Sequence, residues 1–201
     1  MLSASVSNVN LYRIWMQEED SGPEWITDLI LHPMQTPKMK AGEAFHEALE
    51  LALEGEKDSV YAKGYRFYFR SDWEIALPAL REMSVAKVYD GLEVRGRVDG
   101  ISGKILAELK TTEKFDADNY FDGLQWRFYL DMTGCEAFDW HVFCLKDLGN
   151  DEYDVWDYHR MRQFSYTGMH EDCLKWARAY KDFAIKVLEP AREREKALIT
   201  P

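Results

Sequence analysis

Residues 97–111 read RVDGISGKILAELKT, and the way this stretch folds governs the reading of the whole chain. Two apolar runs flank Ser102-Gly103, a pair suited to a two-residue hairpin turn. Folding about that turn predicts pairing of Ile101 with Lys104, Gly100 with Ile105 and Asp99 with Leu106. Side chains alternate along each strand, so Asp99, Glu108 and Lys110 are expected on one solvent-facing side. Val94, Gly96, Val98, Ile105, Ala107 and Leu109, all small or apolar, are expected on the core side. Two carboxylates held together repel unless a cation binds between them, and hard oxygen ligands suit magnesium or manganese. A lysine two residues beyond the glutamate lies beside such an ion, in reach of a water or a phosphate oxygen, which is the chemistry of phosphodiester hydrolysis. The same pattern also fits an ordinary half-exposed hairpin with charges on its wet side.

The 201 residues suit one domain with a sizeable core. Hydrophobic residues make up 46% and charged residues 30%, a globular balance without an apolar run of membrane-spanning length. The start MLSASVSNVN lacks the basic and apolar regions of a signal peptide, so the expected location is the cytoplasm, away from membrane. Cys135, Cys144 and Cys173 are odd in number and too widely spaced for a CxxC knuckle, and are read as buried thiols. The formal net charge of -11 excludes a protein that coats nucleic acid nonspecifically, which needs clustered Lys and Arg. Any DNA contact has to be local, through a few basic side chains in a cleft.

Around the hairpin, periodicity predicts helices over about 7–19, capped by Ser7 or Asn8, then about 24–31, and about 38–54, stopped by Gly55. The third carries the apolar stripe Phe45, Leu49, Ala52 and Leu53, with His46 beside it, one turn from Gly42. Strands are expected over 64–70, 73–77 and 79–89. In the first of these, Tyr65, Phe67 and Phe69 alternate with Arg66, Tyr68 and Arg70, a pattern that fits a sheet strand with one buried face or a base-stacking surface. Residues 112–120 read as a loop whose Lys114 could reach a phosphate. A helix over 123–132 ends at Gly134 and places Gln125 and Tyr129 on one face, with Arg127 read as a surface charge. Strands 138–146 and 153–159 form a second hairpin about Gly149-Asn150. His141 and His159 lack a matching metal motif in their neighbours and are read as structural or exposed. A long amphipathic helix over 167–188 ends at Pro190, before a solvated or frayed tail.

Asp99 followed by Glu108-Leu109-Lys110 resembles the PD-(D/E)XK nuclease superfamily, in which an aspartate on one strand precedes Glu-X-Lys on the next. Gly42 to His46 looks like the Gly-X-X-X-His helix of its RecB-like members, and Gln125 with Tyr129 resembles their QxxxY motif. These signatures occur in the family's order and span about half the chain, so the chain resembles the RecB-like, phage-recombination exonuclease branch. The resemblance implies an α/β fold, a single domain over 1–201 with a restriction-endonuclease-like central mixed sheet flanked by helices. Its parts are N-terminal helices over 1–55, the sheet with the catalytic hairpin and QxxxY helix over 60–165, and a C-terminal helix and tail over 167–201.

It further implies a metal-dependent DNA exonuclease of recombination, repair or phage DNA processing. His46, Asp99, Glu108 and the Leu109 carbonyl would hold one or two Mg²⁺ or Mn²⁺ ions, with Asp99, Glu108 and Lys110 catalytic. Lys110 would orient or activate the water, and Gln125 and Tyr129 would position the strand. The family's iron–sulfur cluster needs one cysteine near the N-terminus, whereas the first here is Cys135, so no such cluster is expected. DNA is the implied partner, with room for a homo-oligomer and a single-strand-annealing or recombination protein, in the host cytoplasm if phage-encoded. The competing readings are a structure-selective or restriction-like endonuclease with the same metal centre, and a catalytically silent DNA-binding or assembly subunit.

Overall fold

The computed structural model describes residues 2–18, 21–53, 58–69 and 80–199. Helices α1 (Val6–Trp15), α2 (Pro23–Leu31) and α3 (Pro37–Leu53) follow a four-residue strand β1 (Leu2–Ser5). Strands β2 (Ser59–Ala62), β3 (Tyr65–Tyr68), β4 (Leu80–Tyr89), β5 (Leu92–Ser102) and β6 (Ile105–Thr112) come next. After α4 (Ala117–Phe121) and α5 (Gln125–Thr133) come β7 (Ala137–Gly149), β8 (Glu152–Phe164), α6 (Met169–Phe183), a π turn (Ala184–Leu188) and α7 (Glu189–Ile199). The strand expected over 73–77 lies outside the described residues, as does Gly55.

Among the described residues, eight strands form one mixed sheet in the order β1-β5-β6-β7-β8-β3-β2, with β4 paired to β5. Both faces are covered. On one lie α1, α2, α5 and α6 over a core that includes Val94, Val98, Leu106, Phe128, Phe138 and Tyr180; on the other α3 packs Ala44, Phe45 and Leu49 against Phe67, Leu109, Phe143 and Val155. The expected single core face of the central hairpin is therefore corrected, because Val94 and Val98 join the first core and Leu109 the second. A sheet clad on both sides buries both rows of side chains. Strand β3 instead has one buried face: Phe67 is fully buried, and Tyr65 and the following Phe69 pack against the second core, while Arg66 is exposed.

The turn register also differs from expectation. Ser102 pairs with Ile105, Ile101 with Leu106 and Gly100 with Ala107, so the loop is Gly103-Lys104. Gly103 takes φ 59° at the first loop position, the left-handed conformation that glycine adopts without steric cost. The second hairpin shifts in the same direction: Gly149 pairs with Glu152, and Asn150 and Asp151 occupy the loop at φ 55° and 60°, the signs a type I′ turn requires.

Helix α1 starts earlier than expected because Ser5, not Ser7 or Asn8, is its cap, accepting from the Asn8 amide at 3.0 Å. Helix α4 occupies part of the expected 112–120 loop, capped by Asp116. Pro190 does not end the C-terminal helix. Proline removes an N–H and crowds the carbonyl four residues back; the π turn over Ala184–Leu188 ends two residues before Pro190, and the chain continues as α7 from Glu189.

Candidate active site

The long strand β5 is shared along one edge by two partners. Its start pairs in parallel with β1, ending at Ser5 opposite Arg95, and its end pairs with β6, beginning at Gly100 opposite Ala107. Between Arg95 and Gly100 that edge has neither partner, and the sheet forks. Backbone groups in such a gap need other partners, and side chains supply them. Asp99 Oδ2 accepts from the Leu109 amide at 2.7 Å, and the Tyr129 hydroxyl donates to the Arg97 carbonyl at 3.0 Å. The Leu109 N–H thus points into the fork, and in an extended strand the carbonyl of the same residue points the same way.

A cleft of about 1200 Å³ opens at this fork. It brings together all seven side chains and backbone positions expected of the site: His46 from α3, Asp99 from β5, Glu108, Leu109 and Lys110 from β6, and Gln125 and Tyr129 from α5. Gly42 explains how α3 gets close enough, since a Cβ there would meet Thr111 Oγ1 of β6 at 2.8 Å. Lys63, Arg95 and Arg97 line the same cleft, together with Glu43, Glu47, Glu50 and Glu82. Arg97 also stands 3.8 Å from Glu82.

Glu108 is the least comfortable group in it. Its exposure is 4%, against the expectation that it sits on a wet face. Oε1 accepts from Lys110 Nζ at 2.8 Å and from Gln125 Nε2 at 2.5 Å, whereas Oε2 is buried with no hydrogen-bond partner. Burial pushes the Glu108 carboxyl above its ordinary range, and the neighbouring Asp99 adds to this against the pull of Lys110. Burial opposes the charge on Lys110, but Glu108 outweighs it and holds the ammonium above its usual value. Lys110 therefore acts as a cation. Burial lowers His46 despite Asp99, which leaves a neutral imidazole able to offer a lone pair. Burial and Glu108 raise the Tyr129 phenol, so it remains an O–H donor.

An orphaned, buried carboxylate oxygen facing a cleft with a second carboxylate and a neutral imidazole fits a divalent cation. The fit is not closed as it stands: among the described residues, the three side chains whose ligand atoms all lie within 4.8 Å of one another are Cys144, Asp157 and His159, not His46, Asp99 and Glu108.

Gly96 is a site residue that the sequence reading placed only among core positions. A Cβ there would lie 2.3 Å from Tyr129 Cε1 and 2.7 Å from its hydroxyl, so the phenol rests directly on the β5 backbone. The signal is the glycine that opens the unpaired segment, in RGRVDG, where a bare backbone admits close approach. Arg127 is not a free surface charge. Its guanidinium donates to the carbonyls of Asp122 and Gly123 at 2.9 and 2.8 Å and lies 4.6 Å from the Trp126 ring, tying α4 to α5. His141 is buried, its Nδ1 2.7 Å from the Tyr158 hydroxyl.

Comparison with solved structures adds the fold. Over 97% of this chain and 94% of the other, it superposes on LHK-Exo in complex with dAMP, with a TM-score of 0.51 and 12% identity. Its fold is shared with an exonuclease. LHK-Exo is the alkaline exonuclease of Laribacter hongkongensis. A second similar structure is SSO0001, with a TM-score of 0.52 and 14% identity over 93% of this chain and 77% of that one. At these identities the likeness establishes a nuclease-like α/β architecture and nothing finer. No protein-family profile and no curated protein matches the sequence. No helix among the described residues is long and apolar enough to cross a membrane.

Proposed function

We propose that the fork cleft is the active centre of a divalent-metal-dependent deoxyribonuclease that degrades DNA from an end. The observation that carries this is the buried, unpartnered Glu108 Oε2 beside Asp99 and Lys110 in an open cleft. The exonuclease fold supports it. His46, Asp99, Glu108 and the Leu109 carbonyl would hold Mg²⁺ or Mn²⁺, one ion or two, and a bound ion supplies Lewis-acid stabilisation of charge on the phosphate. The chain's own residues do the rest. Lys110, kept protonated by Glu108, orients the attacking water or a phosphate oxygen with its free N–H bonds. Gln125 fixes the Glu108 carboxylate through its amide, so its effect on the reaction runs through Glu108 rather than through the strand alone. Tyr129 closes the floor of the cleft over Gly96, and Arg95, Arg97 and Lys63 offer positive charge to the DNA backbone.

The test is digestion of linear duplex labelled at the 5′ or 3′ end, with Mg²⁺ or Mn²⁺, beside closed circular DNA. The expected result is release of label from linear DNA alone, lost on chelation and in Lys110→Ala. Cutting of the circle would make the same centre an endonuclease. Full metal-dependent activity in Lys110→Ala would overturn the assignment.

A further inference from the structure

Away from the cleft, strands β7 and β8 assemble a group that no local motif announces. Cys144 stands opposite Asp157 in their register, and His159 follows two residues on along the same side of β8. The register slips immediately after this pair, between Cys144 and Leu145, so that Trp156 is the extra residue of a bulge, a device that re-aims neighbouring side chains. One sulfur, one carboxylate oxygen and one imidazole nitrogen result, all within 4.8 Å of one another. Asp157 Oδ2 and His159 Nε2 are already 2.9 Å apart. Cys144 is fully buried, while the side chains of His159 and Asp157 are 33% and 38% exposed, so the group has a closed floor and an open mouth.

We propose that Cys144, Asp157 and His159 form a site for a zinc-class divalent cation, distinct from the fork cleft and independent of the reading given to that cleft. Sulfur with nitrogen and oxygen is a borderline-soft donor set, unlike the oxygen-rich fork, and it selects zinc or cobalt over magnesium. Metal bonds of about 2.0–2.3 Å place tetrahedral ligand atoms roughly 3.3–3.8 Å apart, so closure takes side-chain rotation rather than backbone movement. Binding exchanges the Cys144 S–H bond for an S–metal bond, and the thiol proton leaves to solvent past Asp157 and His159. The Asp157 carboxylate is braced from behind, its Oδ1 accepting the Tyr158 amide at 2.9 Å. The His159 ring stacks on Phe115 at 3.9 Å and 11°. Phe115 in turn stacks on Tyr120, and Tyr120 meets Trp140, whose ring lies 5.9 Å from Lys110 Nζ. A cation here would therefore pin the segment between β6 and α4, immediately downstream of the cleft lysine.

The full chain, with thiols reduced and magnesium absent, is titrated with Co²⁺ and followed by absorption. The expected result is a thiolate-to-cobalt charge-transfer band saturating at one equivalent and erased by Zn²⁺. Cys144→Ser should lose the band, and His159→Gln and Asp157→Asn should weaken cobalt binding at least about tenfold. Cys135→Ser, Cys173→Ser and Glu108→Gln should keep it, which separates this site from the other thiols and from the fork. Absence of the band, or its survival in Cys144→Ser, would overturn the proposal. If Cys144→Ser does not fold by circular dichroism, the two exposed-ligand variants decide: an unchanged titration in both overturns it.

Discussion

Glu108 and Asp139 are buried carboxylates on neighbouring strands, at 4% and 3% exposure, and they point to opposite faces of the sheet. Asp139 is saturated. Its Oδ1 accepts from Arg162 Nε at 2.6 Å, and its Oδ2 accepts from Arg162 Nη2 and Arg160 Nη2, each at 2.7 Å. Burial raises the Asp139 carboxyl, but the two guanidinium groups outweigh it and hold the group below its ordinary range. Glu108 has one lysine and one amide on a single oxygen and nothing on the other, and its carboxyl is pushed up. The difference separates a carboxylate that closes the sheet from one kept short of partners at an open cleft. A buried polar atom left unpaired costs free energy, which a ligand entering the cleft beside it would relieve.

Exchanging each acid for its amide should break the pair apart in opposite ways. Glu108→Gln is expected to cut DNA cleavage by about 100- to 1000-fold or more, the scale for one preorganised electrostatic group, while the fold survives. Asp139→Asn is expected to leave the cleft chemistry intact and to destabilise the fold by about 2–3 kcal/mol, because two guanidinium groups lose a charged acceptor. The half-exposed positions of Arg160 and Arg162, at 51% and 35%, keep the loss below that of a fully buried pair. Single-turnover cleavage of end-labelled duplex and urea unfolding read the two effects. Stability loss in Glu108→Gln together with full activity would reverse the comparison.

The Asp139 contribution also has a sign in pH. Its folded carboxyl titrates below the ordinary value of 3.8, so the folded state binds that proton less well than the unfolded chain. The stabilisation is fully present above that ordinary value and is lost as pH falls through the depressed folded one. Asp139→Asn should therefore flatten the acid limb of the stability curve relative to the parent chain, with no change in slope near neutrality. A parallel acid limb in the variant would show that the guanidinium cluster is not what holds Asp139 ionised.

Much of the site was legible because it is local. Asp99, Glu108 and Lys110 sit within one hairpin, and Gln125 and Tyr129 within one helical turn, so alternation and periodicity alone bring each set together. The turn itself was misplaced by one residue because Ser-Gly and Gly-Lys both put a glycine where a loop can use it, and only the left-handed Gly103 at the first position decides between them. The fork was not legible. It depends on β1, four residues that pair in parallel with β5 from far away in sequence, and a strand that short carries no period of its own. Clustering of Cys144 with Asp157 and His159 was hidden for the same reason, since it exists only in the β7 and β8 register. The residues beside His159 along the chain supply no metal motif, and the sulfur close to it lies across the hairpin.

Two glycines at the fork give the smallest and sharpest test of how the cleft is built. At Gly96 a Cβ meets the Tyr129 ring at 2.3 Å, and that ring is itself 3% exposed and bonded to the Arg97 carbonyl. The phenol has nowhere to go, so Gly96→Ala is expected to destabilise the fold by about 1–3 kcal/mol, the usual range for overpacking, and to weaken DNA binding with it. At Gly42 the obstacle is the Thr111 hydroxyl at 2.8 Å, the end of a short side chain that can rotate. Alanine is also the better helix former there by about 1 kcal/mol, which offsets the crowding, so Gly42→Ala is expected to shift stability by less than about 1 kcal/mol. The two are compared by urea unfolding and by fluorescence anisotropy on labelled duplex. If Gly42→Ala proves the more damaging, the approach of α3 to β6 rather than the seat of Tyr129 on β5 sets the shape of the cleft.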